Sequence, residues 1–360
     1  MTITIKVGSN VLTRSNGTLN VERMESLVAQ IAEMHKAGHK VIFVSSGAVA
    51  AGRSMIKNYK ELDPVAQRQL LSSVGQVKLI DQYKQLFDKH QIAIGQILVT
   101  KQDFSTREHY LNMKNCIETL WQSGVVPVVN ENDTVSVTAL MFTDNDELSG
   151  LMASMMDCEK LFILSNIDGI YNGNPNDAGS EGIREIEPNI NVAQYVQTTK
   201  SGFGRGGMQT KCKTAQKTAA SGIDVYIANG TTPNVIKRLV DGDKDFVCTH
   251  FVAGQRSPAV KKWIAYSDGF AKATVVVNQG AKLALLSHEH AASLLLPGVV
   301  AIDGDFKKDD MLLIKDGEGT IIGVGKASTD RAKISQLSDT RHAKPLIHYD
   351  YLYIYPNEII

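Results

Sequence analysis

Val41-Ile42-Phe43-Val44-Ser45-Ser46-Gly47-Ala48 runs from four apolar residues through a small polar turn into a helical pattern. A short apolar, β-branched run that ends in such a turn is typical of a buried strand followed by a helix. Similar runs occur at 3–7, 92–99, 125–129, 161–164 and 225–228, with helical patterns between them. This alternation predicts an α/β fold, in which helices sandwich a doubly wound, mostly parallel sheet.

Polar residues follow several of these strands. They are Gly8-Ser9, Ser45-Ser46-Gly47, Asn130-Glu131-Asn132-Asp133 and Ser165-Asn166. Ligands of open α/β sheets bind beyond the carboxyl ends of the strands. The sequence therefore predicts a binding site for a polar ligand at this edge of the sheet.

A glycine-rich loop, residues 202–211, ends in Lys211 and precedes a helical pattern over 208–220. Glycines let backbone N–H groups approach an anion, and the N-terminus of a helix favours negative charge. The loop also satisfies the dinucleotide-binding pattern G-x-G-x-x-G, but no strand precedes it and the acidic Asp224 precedes the next strand. A surface loop with a helix cap is the plain alternative. We favour an anion site, because a lysine in the first turn of a helix is otherwise unfavourable.

Charged and polar residues near the strand ends carry the candidate chemistry. Lys6 lies between Ile5 and Val7 on a predicted central strand, where an unpaired charge is costly, so we expect it to face a phosphate. Ser46 is either a ligand for a carboxylate or a helix cap. The acidic residues at 133, 144 and 146 could be acids, metal ligands or turn formers, and their density after a buried strand favours a polar ligand site.

The amino-acid composition argues against several classes of protein. The 360 residues exceed the usual size of one core, and the 38 basic side chains balance the 38 acidic ones, so charge indicates neither nucleic acid nor a membrane surface. Four cysteines form no C-x-x-C pair, which argues against a zinc cluster or a disulfide framework. The first residues lack the features of a signal peptide, and no apolar run approaches a membrane span. We expect a cytoplasmic protein.

The pattern changes after about residue 255. Short strands are predicted at 273–277, 298–302, 311–314 and 320–325, separated by glycines and acidic turns. We predict a catalytic domain over 1–255, a linker over 256–270 and a small β-rich barrel over 271–360. The last region holds ten Lys and Arg against eleven Asp and Glu, a balance that argues against a nucleic-acid partner.

Four motifs in this order, residues 5–9, 44–52, 128–133 and 204–211, resemble the glutamate 5-kinases of the amino acid kinase family. The tail resembles the PUA domain that many bacterial members carry. The resemblance implies transfer of the ATP γ-phosphoryl group to the side-chain carboxylate of L-glutamate, the first step of proline biosynthesis. It also implies feedback inhibition by proline and a homo-oligomer.

By motif position, the resemblance implies roles for individual residues. Lys6 and Lys211 would contact the transferring phosphoryl group with Asp146 orienting them, and Ser46, Asp133 and Asn145 would bind glutamate. The nucleotide would be held by Ser165, Asn166, Gly204, Arg205, Gly206, Gly207, Met208, Gln209 and Thr210. ATP and Mg²⁺ are the implied cofactors, with the metal held mainly by ATP oxygens and without a dedicated protein site.

Two departures from the family pattern affect nucleotide binding. Ser165-Asn166 stands where Thr-Asp is common, and Arg205 stands where a smaller residue is frequent.

The alternatives to glutamate as acceptor are aspartate, acetylglutamate, carbamate and UMP, and the tail also allows an RNA-binding protein.

Overall fold

The computed structural model describes residues 1–136, 142, 144–173, 179–188, 190, 207–287, 291–334 and 345–355. It divides the chain into two compact units, residues 1–256 and 257–360. Among the described residues, no helix combines the length and the apolar character needed to cross a membrane.

The first unit alternates strands and helices along the chain. Its elements are β1 Thr2–Val7, α1 Ser9–Leu12, α2 Val21–Lys36, β2 Lys40–Val44, α3 Ala48–Arg53, α4 Pro64–Asp88, β3 Ile94–Val99, α5 Arg107–Gln122, β4 Val126–Glu131, α6 Asn145–Met155, β5 Lys160–Ser165, β6 Ile170–Tyr171, β7 Gly182–Ile183, β8 Glu185–Ile186, α7 Met208–Ala219, β9 Asp224–Asn229, α8 Val235–Asp241 and β10 Cys248–Phe251.

Eight of these strands form one sheet in the order β3-β4-β2-β1-β5-β9-β10-β8. The six strands predicted from the sequence pair parallel with one another in it, as expected. β10 pairs antiparallel with β9, and β8 extends that edge. The sequence did not predict these two strands, because they are too short to show a period of their own.

The central strands are apolar because both faces of the sheet are covered. Residues Ile3, Ile5 and Val7 of β1 are fully buried, and so is most of the inner face of α2, including Leu27 and Ile31. Such near-continuous apolar runs are expected for parallel strands. A charged side chain on β1 is therefore shielded from solvent on either face of the sheet.

Helices α3 and α4 cross at unusually close range. A Cβ atom added to Gly75 would overlap the carbonyl oxygen of Ala48, and one added to Gly52 would overlap the carbonyl oxygen of Leu71. Only glycine permits backbones to approach in this way. The crossing fixes α4 against the turn that follows β2.

The second unit contains a mixed five-stranded sheet. Its elements are α9 Ala259–Ala265, β11 Ala273–Val277, α10 Gln279–Leu286, β12 Val299–Gly304, β13 Met311–Lys315, β14 Ile321–Ala327 and β15 Ile347–Ile354, in the sheet order β12-β11-β13-β14-β15. Each of the four strands predicted in the tail has a counterpart, and β15 is additional. Residues assigned to a linker from the sequence include α9, where Trp263 and Ile264 are buried.

Candidate active site

The carboxyl ends of β1, β2, β4 and β5 open into a cavity of about 1130 Å³ in the first unit. Many of the residues that the sequence singled out line it, namely Lys6, Ser46, Asp133, Asn145, Asp146, Ser165, Asn166, Met208 and Lys211. They come from loops and strand ends that are up to about 200 positions apart in the chain. The parallel sheet brings them together because it places all of its carboxyl ends on one edge.

Asp146 lies between two lysines at the floor of this cavity. It belongs to the first turn of α6 and is fully buried. One of its oxygens, Oδ1, pairs with Lys6 Nζ, and the other, Oδ2, lies 3.0 Å from Lys211 Nζ. Both lysines are themselves buried. Two positive charges thus meet one negative charge, which leaves the centre suited to an added anion.

The pKa values at this centre follow from the same arrangement. Burial alone would raise the pKa of Asp146, but the charges of Lys6 and Lys211 outweigh burial and lower it to about 2. Burial would likewise lower the pKa of Lys211, yet its contact with Asp146 raises it. Asp146 and Lys211 therefore carry charge at neutral pH.

Helices α1, α3 and α7 begin at the cavity without a side-chain cap. Gly47 precedes α3 with a left-handed φ of 102°, and Gly207 precedes α7, and neither helix start has a capping hydrogen bond from a side chain. First-turn N–H groups without an internal partner suit an anion. At Gly47, a residue with a Cβ would be strained, so glycine is required for the turn.

Asn145 is oriented by a buried polar network. Its Nδ2 donates to Ser45 O at 2.8 Å, to Ser46 Oγ at 3.0 Å and to Asn130 Oδ1 at 2.9 Å. Asn130 donates in turn to Gln76 Oε1 on α4 at 2.9 Å. Because Nδ2 faces these acceptors, the Oδ1 of Asn145 is the atom left to accept from a ligand.

Asp133 is one of two carboxylates that share an arginine. Arg68 Nη2 on α4 contacts Asp133 Oδ1 and lies 3.1 Å from Glu131 Oε2. Glu131 Oε1 also accepts from Ser136 Oγ and from the backbone N–H of Phe142, each at 2.9 Å. Burial and the neighbouring Asp133 raise the pKa of Glu131 to about 7, and burial also raises the pKa of Asp133.

Asp144 caps α6 and lines the cavity. Its Oδ1 accepts from the N–H groups of Asp146 and Glu147 at 2.9 and 3.1 Å. Its Oδ2 is buried and has no hydrogen-bond partner among the described residues. Burial and the charge of Asp146 raise the pKa of Asp144 to about 7.

The predicted nucleotide residues are distributed around the other side of the cavity. Ser165 ends β5 and is buried, its Oγ lies 3.4 Å from Asn166 Oδ1, and Asn166 is exposed. Gly207 precedes α7, Met208 lines the cavity, and Gln209 and Thr210 belong to the first turn without lining it. Gly204, Arg205 and Gly206 lie outside the described residues.

No role was assigned from the sequence to Arg68, Asn130, Glu131 or Asp144, which all line the cavity, although Asp144 was named there among the candidate acidic residues. Asn130 and Glu131 stood in a quoted motif, and a glutamate that ends a buried apolar strand was a usable signal. The sequence around Arg68 contained no such signal, since its two partners lie 63 and 65 positions away in the chain. The described residues contain no group of three or more His, Cys, Asp or Glu side chains that could hold a metal ion.

A doubly wound sheet whose edge carries two lysines, a buried aspartate and uncapped helix starts defines a phosphate-handling enzyme. Residues 1–229 match the model of the amino acid kinase family, and residues 273–349 match that of the PUA domain. The chain therefore belongs to the amino acid kinase family.

Relatives that match over nearly the full chain indicate which members of the family it is similar to. The glutamate 5-kinase of Bacteroides thetaiotaomicron is 55% identical over 353 residues, which is 98% of each chain. That of Chlorobaculum tepidum is 46% identical over 358 residues, covering 98% of this chain and 97% of the relative. Among solved structures, carbamate kinase from Giardia lamblia bound to AMP-PNP has a TM-score of 0.51 at 17% identity, covering 70% of this chain and 98% of that one. This last likeness shows the fold alone.

Proposed function

We propose that the chain transfers the γ-phosphoryl group of ATP to the side-chain carboxylate of L-glutamate, giving L-glutamyl 5-phosphate, the first step of proline biosynthesis. One observation carries the proposal. Lys6 and Lys211 are held on the two oxygens of the buried Asp146, at the floor of a cavity with room for a nucleotide and an amino acid. The near full-length likeness to glutamate 5-kinases supports glutamate as the acceptor.

The reaction needs alignment and charge cancellation more than proton transfer. A carboxylate oxygen of glutamate attacks the γ-phosphorus, the bond from that phosphorus to the bridging oxygen breaks, and ADP leaves with the electron pair. A glutamate side chain has a pKa near 4.3, so it is already ionised and requires no general base. Two anions must nevertheless be brought together, and fixed positive groups are what lower that barrier.

Lys6 and Lys211 supply those positive groups in this proposal. Each ammonium donates to the transferring phosphoryl oxygens, where negative charge accumulates in the transition state. Asp146 holds both lysines at the cavity through its two oxygens, and its contact with Lys211 raises the pKa of that lysine. Asp146 is a positioning group here and carries no proton.

Ser46, Asp133 and Asn145 bind the amino acid end of the acceptor. Asp133 is the counter-ion for the α-ammonium group, and Asn145 Oδ1 accepts a further hydrogen bond from it. The Ser46 hydroxyl and the N–H groups at the start of α3 meet the α-carboxylate. The network around Asn145 fixes its orientation before the acceptor enters.

The nucleotide is bound by Ser165, Asn166 and residues 204–210, at the start of α7. Mg²⁺ fits this site as a companion of ATP, because Asp144 offers a buried oxygen that lacks a hydrogen-bond partner in the described part of the chain. Bound Mg²⁺ would neutralise charge on the β- and γ-phosphate oxygens, which would supply most of its ligands.

The enzyme is proposed to act in the cytoplasm as a homo-oligomer and to be inhibited by proline. The location is the expectation drawn from the sequence, and the other two statements follow from the family resemblance.

An acceptor panel tests the proposed function. The full chain is incubated with Mg-ATP and either L-glutamate, L-aspartate, N-acetyl-L-glutamate, carbamate or UMP, and hydroxylamine traps any acyl phosphate as a hydroxamate. A hydroxamate is expected with L-glutamate, and ADP should form in equal amount. Preference for another acceptor would reject glutamate as substrate. Salt-dependent binding of a structured RNA without any kinase activity would favour the RNA-binding alternative.

A further inference from the structure

The cluster of Arg68, Glu131 and Asp133 has an unequal charge count. Two carboxylates, both largely buried, are contacted by one guanidinium group. Both carboxylates line the cavity: Glu131 ends β4 with 3% of its side chain exposed, and Asp133, two residues further on, has 12% exposed. With both carboxylates ionised, these three side chains together carry a net charge of minus one.

We propose that Arg68 and Glu131 are positioning residues that make Asp133 the counter-ion of an ammonium group on the acceptor, so that binding of an amino acid completes the charge balance of the cluster. The proposal rests on the proposed function, in which Asp133 meets the α-ammonium of glutamate. It adds that the acceptor must carry a free amino group and that its binding is linked to ionisation of the carboxylate pair.

The surroundings of Glu131 explain why ionisation and binding are linked. From α4 it faces the positive Arg68, and from the segment after β4 it faces the negative Asp133. The Ser136 hydroxyl and the Phe142 N–H, which also contact it, are neutral. The single guanidinium group does not fully offset burial and the second carboxylate, and the pKa of Glu131 lies at about 7. A second positive charge, brought by the acceptor, would favour loss of that proton.

The linkage has a definite sign. Because the ammonium binds best when both carboxylates are ionised, acceptor binding should weaken as pH falls below about 7. With a pKa at about 7 in the free enzyme, the KM for glutamate should rise about tenfold between pH 8 and pH 6. Neither the carboxylates nor the ammonium of glutamate titrate in that interval.

The experiment measures the KM for L-glutamate and kcat from pH 6.0 to 8.5 at saturating Mg-ATP. In Glu131→Gln, which keeps the size of the side chain, the KM should become nearly independent of pH. In Arg68→Ala, the KM at pH 7 should rise about tenfold or more. Loss of the guanidinium charge should also raise the pKa of Glu131, so the pH dependence of the KM should move to higher pH and the KM should partly recover at pH 8.5. Arg68→Lys should restore part of the affinity. A purely structural defect would not be relieved by raising the pH.

Two controls separate the cluster from other groups. Lys84→Ala removes an exposed ion pair with Asp88 from the same helix and should leave the KM and its pH profile unchanged. Asp144→Asn removes the other carboxyl group of the cavity whose pKa lies near 7 and should leave the pH slope of the glutamate KM in place.

The outcomes are distinct. A wild-type KM that is flat from pH 6 to 8, or an equal slope in Glu131→Gln, would overturn the inference while leaving glutamate kinase activity intact. A slope that disappears in Asp144→Asn and persists in Glu131→Gln would also overturn it. Absence of any glutamate phosphorylation would reject the proposed function and this inference together.

Discussion

At the scale of single residues, the proposed reaction depends on Asp146, which holds the buried Lys6 and Lys211 at the floor of the cavity. Removing one member of a buried ion pair leaves an uncompensated charge, which is far more costly than losing an exposed pair. The exposed pair of Lys89 with Glu25 provides the contrast, since both side chains are at least half exposed. Removal of one charged partner should therefore destabilise the protein far more at Asp146 than at the exposed pair of Lys89 and Glu25.

The lysines are tested first. Lys6→Ala and Lys211→Ala should each lower kcat by roughly a hundredfold or more, with smaller changes in the KM of either substrate, because the charge that they meet develops during transfer. Steady-state kinetics of folded protein measure this, with Lys89→Ala as the matched control. Near-normal kcat in either variant would refute its catalytic role.

Asp146→Asn should affect stability as well as catalysis. It removes the charge of the carboxylate that both buried ammonium groups contact, so we expect a loss of about 3–5 kcal/mol in the free energy of unfolding. Urea denaturation followed by circular dichroism measures the loss. A change below about 1 kcal/mol would mean that the lysines can reach solvent after all.

Asp133→Ala tests acceptor binding. The KM for glutamate should rise strongly while the KM for ATP stays near its starting value, because Asp133 is proposed to bind the α-ammonium group of glutamate. Initial rates with each substrate varied in turn decide this. Should the KM for ATP change most, the division of the cavity into two halves would be wrong.

The pKa of Glu131 predicts how stability depends on pH. Its ordinary pKa of 4.5 is raised to about 7 on folding, so its contribution to stability is present below pH 4.5 and is lost as pH rises through 7. Relative to Glu131→Gln, the wild type should gain up to about 1.4 kcal/mol per pH unit when pH is lowered from 7 toward 5. Unfolding of both proteins at each pH measures the difference, and Glu25→Gln, at an exposed site, should show none of it.

At the scale of elements, the crossing of α3 and α4 joins the turn at Ser46 to the helix that carries Arg68. Gly75→Ala should push the two helices apart, because its Cβ would meet the backbone of α3 rather than a movable side chain. We expect a loss of stability of about 1–3 kcal/mol or more and a higher KM for glutamate. Val77→Ala, at an exposed position on α4, is the matched control and should change neither.

At the scale of the whole molecule, the cavity is built entirely from the first unit. A chain ending at Arg256 should therefore fold and phosphorylate glutamate. An end at Val252 would forfeit the backbone hydrogen bonds that Ala253 donates to Asp224 and Gly254 donates to Ala219. Thermal denaturation and the hydroxamate assay compare both truncations with the full chain. A monodisperse but inactive 1–256 would mean that the second unit completes the site.

The sequence by itself determined the order of strands and helices in the first unit, the parallel core of the sheet and most of the site. These features are encoded locally: apolar runs mark buried strands, and the glycines and small polar residues after them mark strand ends. Lys6 could be singled out for this reason, since an apolar strand makes a charge conspicuous. The same signals pointed to Ser46 and to the acidic residues at 133, 144 and 146, whereas Asn145 was named only through the family resemblance.

Only the tertiary structure decided which charges meet. Arg68 lies on a helix whose local pattern is ordinary, and its partners at 131 and 133 are reached only because α4 packs beside the end of β4. The raised pKa values of Glu131 and Asp144 likewise follow from burial, which no local pattern reports. Strands β8 and β10 are too short to be recognised alone and exist because an open sheet edge offers them backbone partners. Sequence periodicity records which face of an element is buried, whereas electrostatics depends on distances between elements, and those are set by packing.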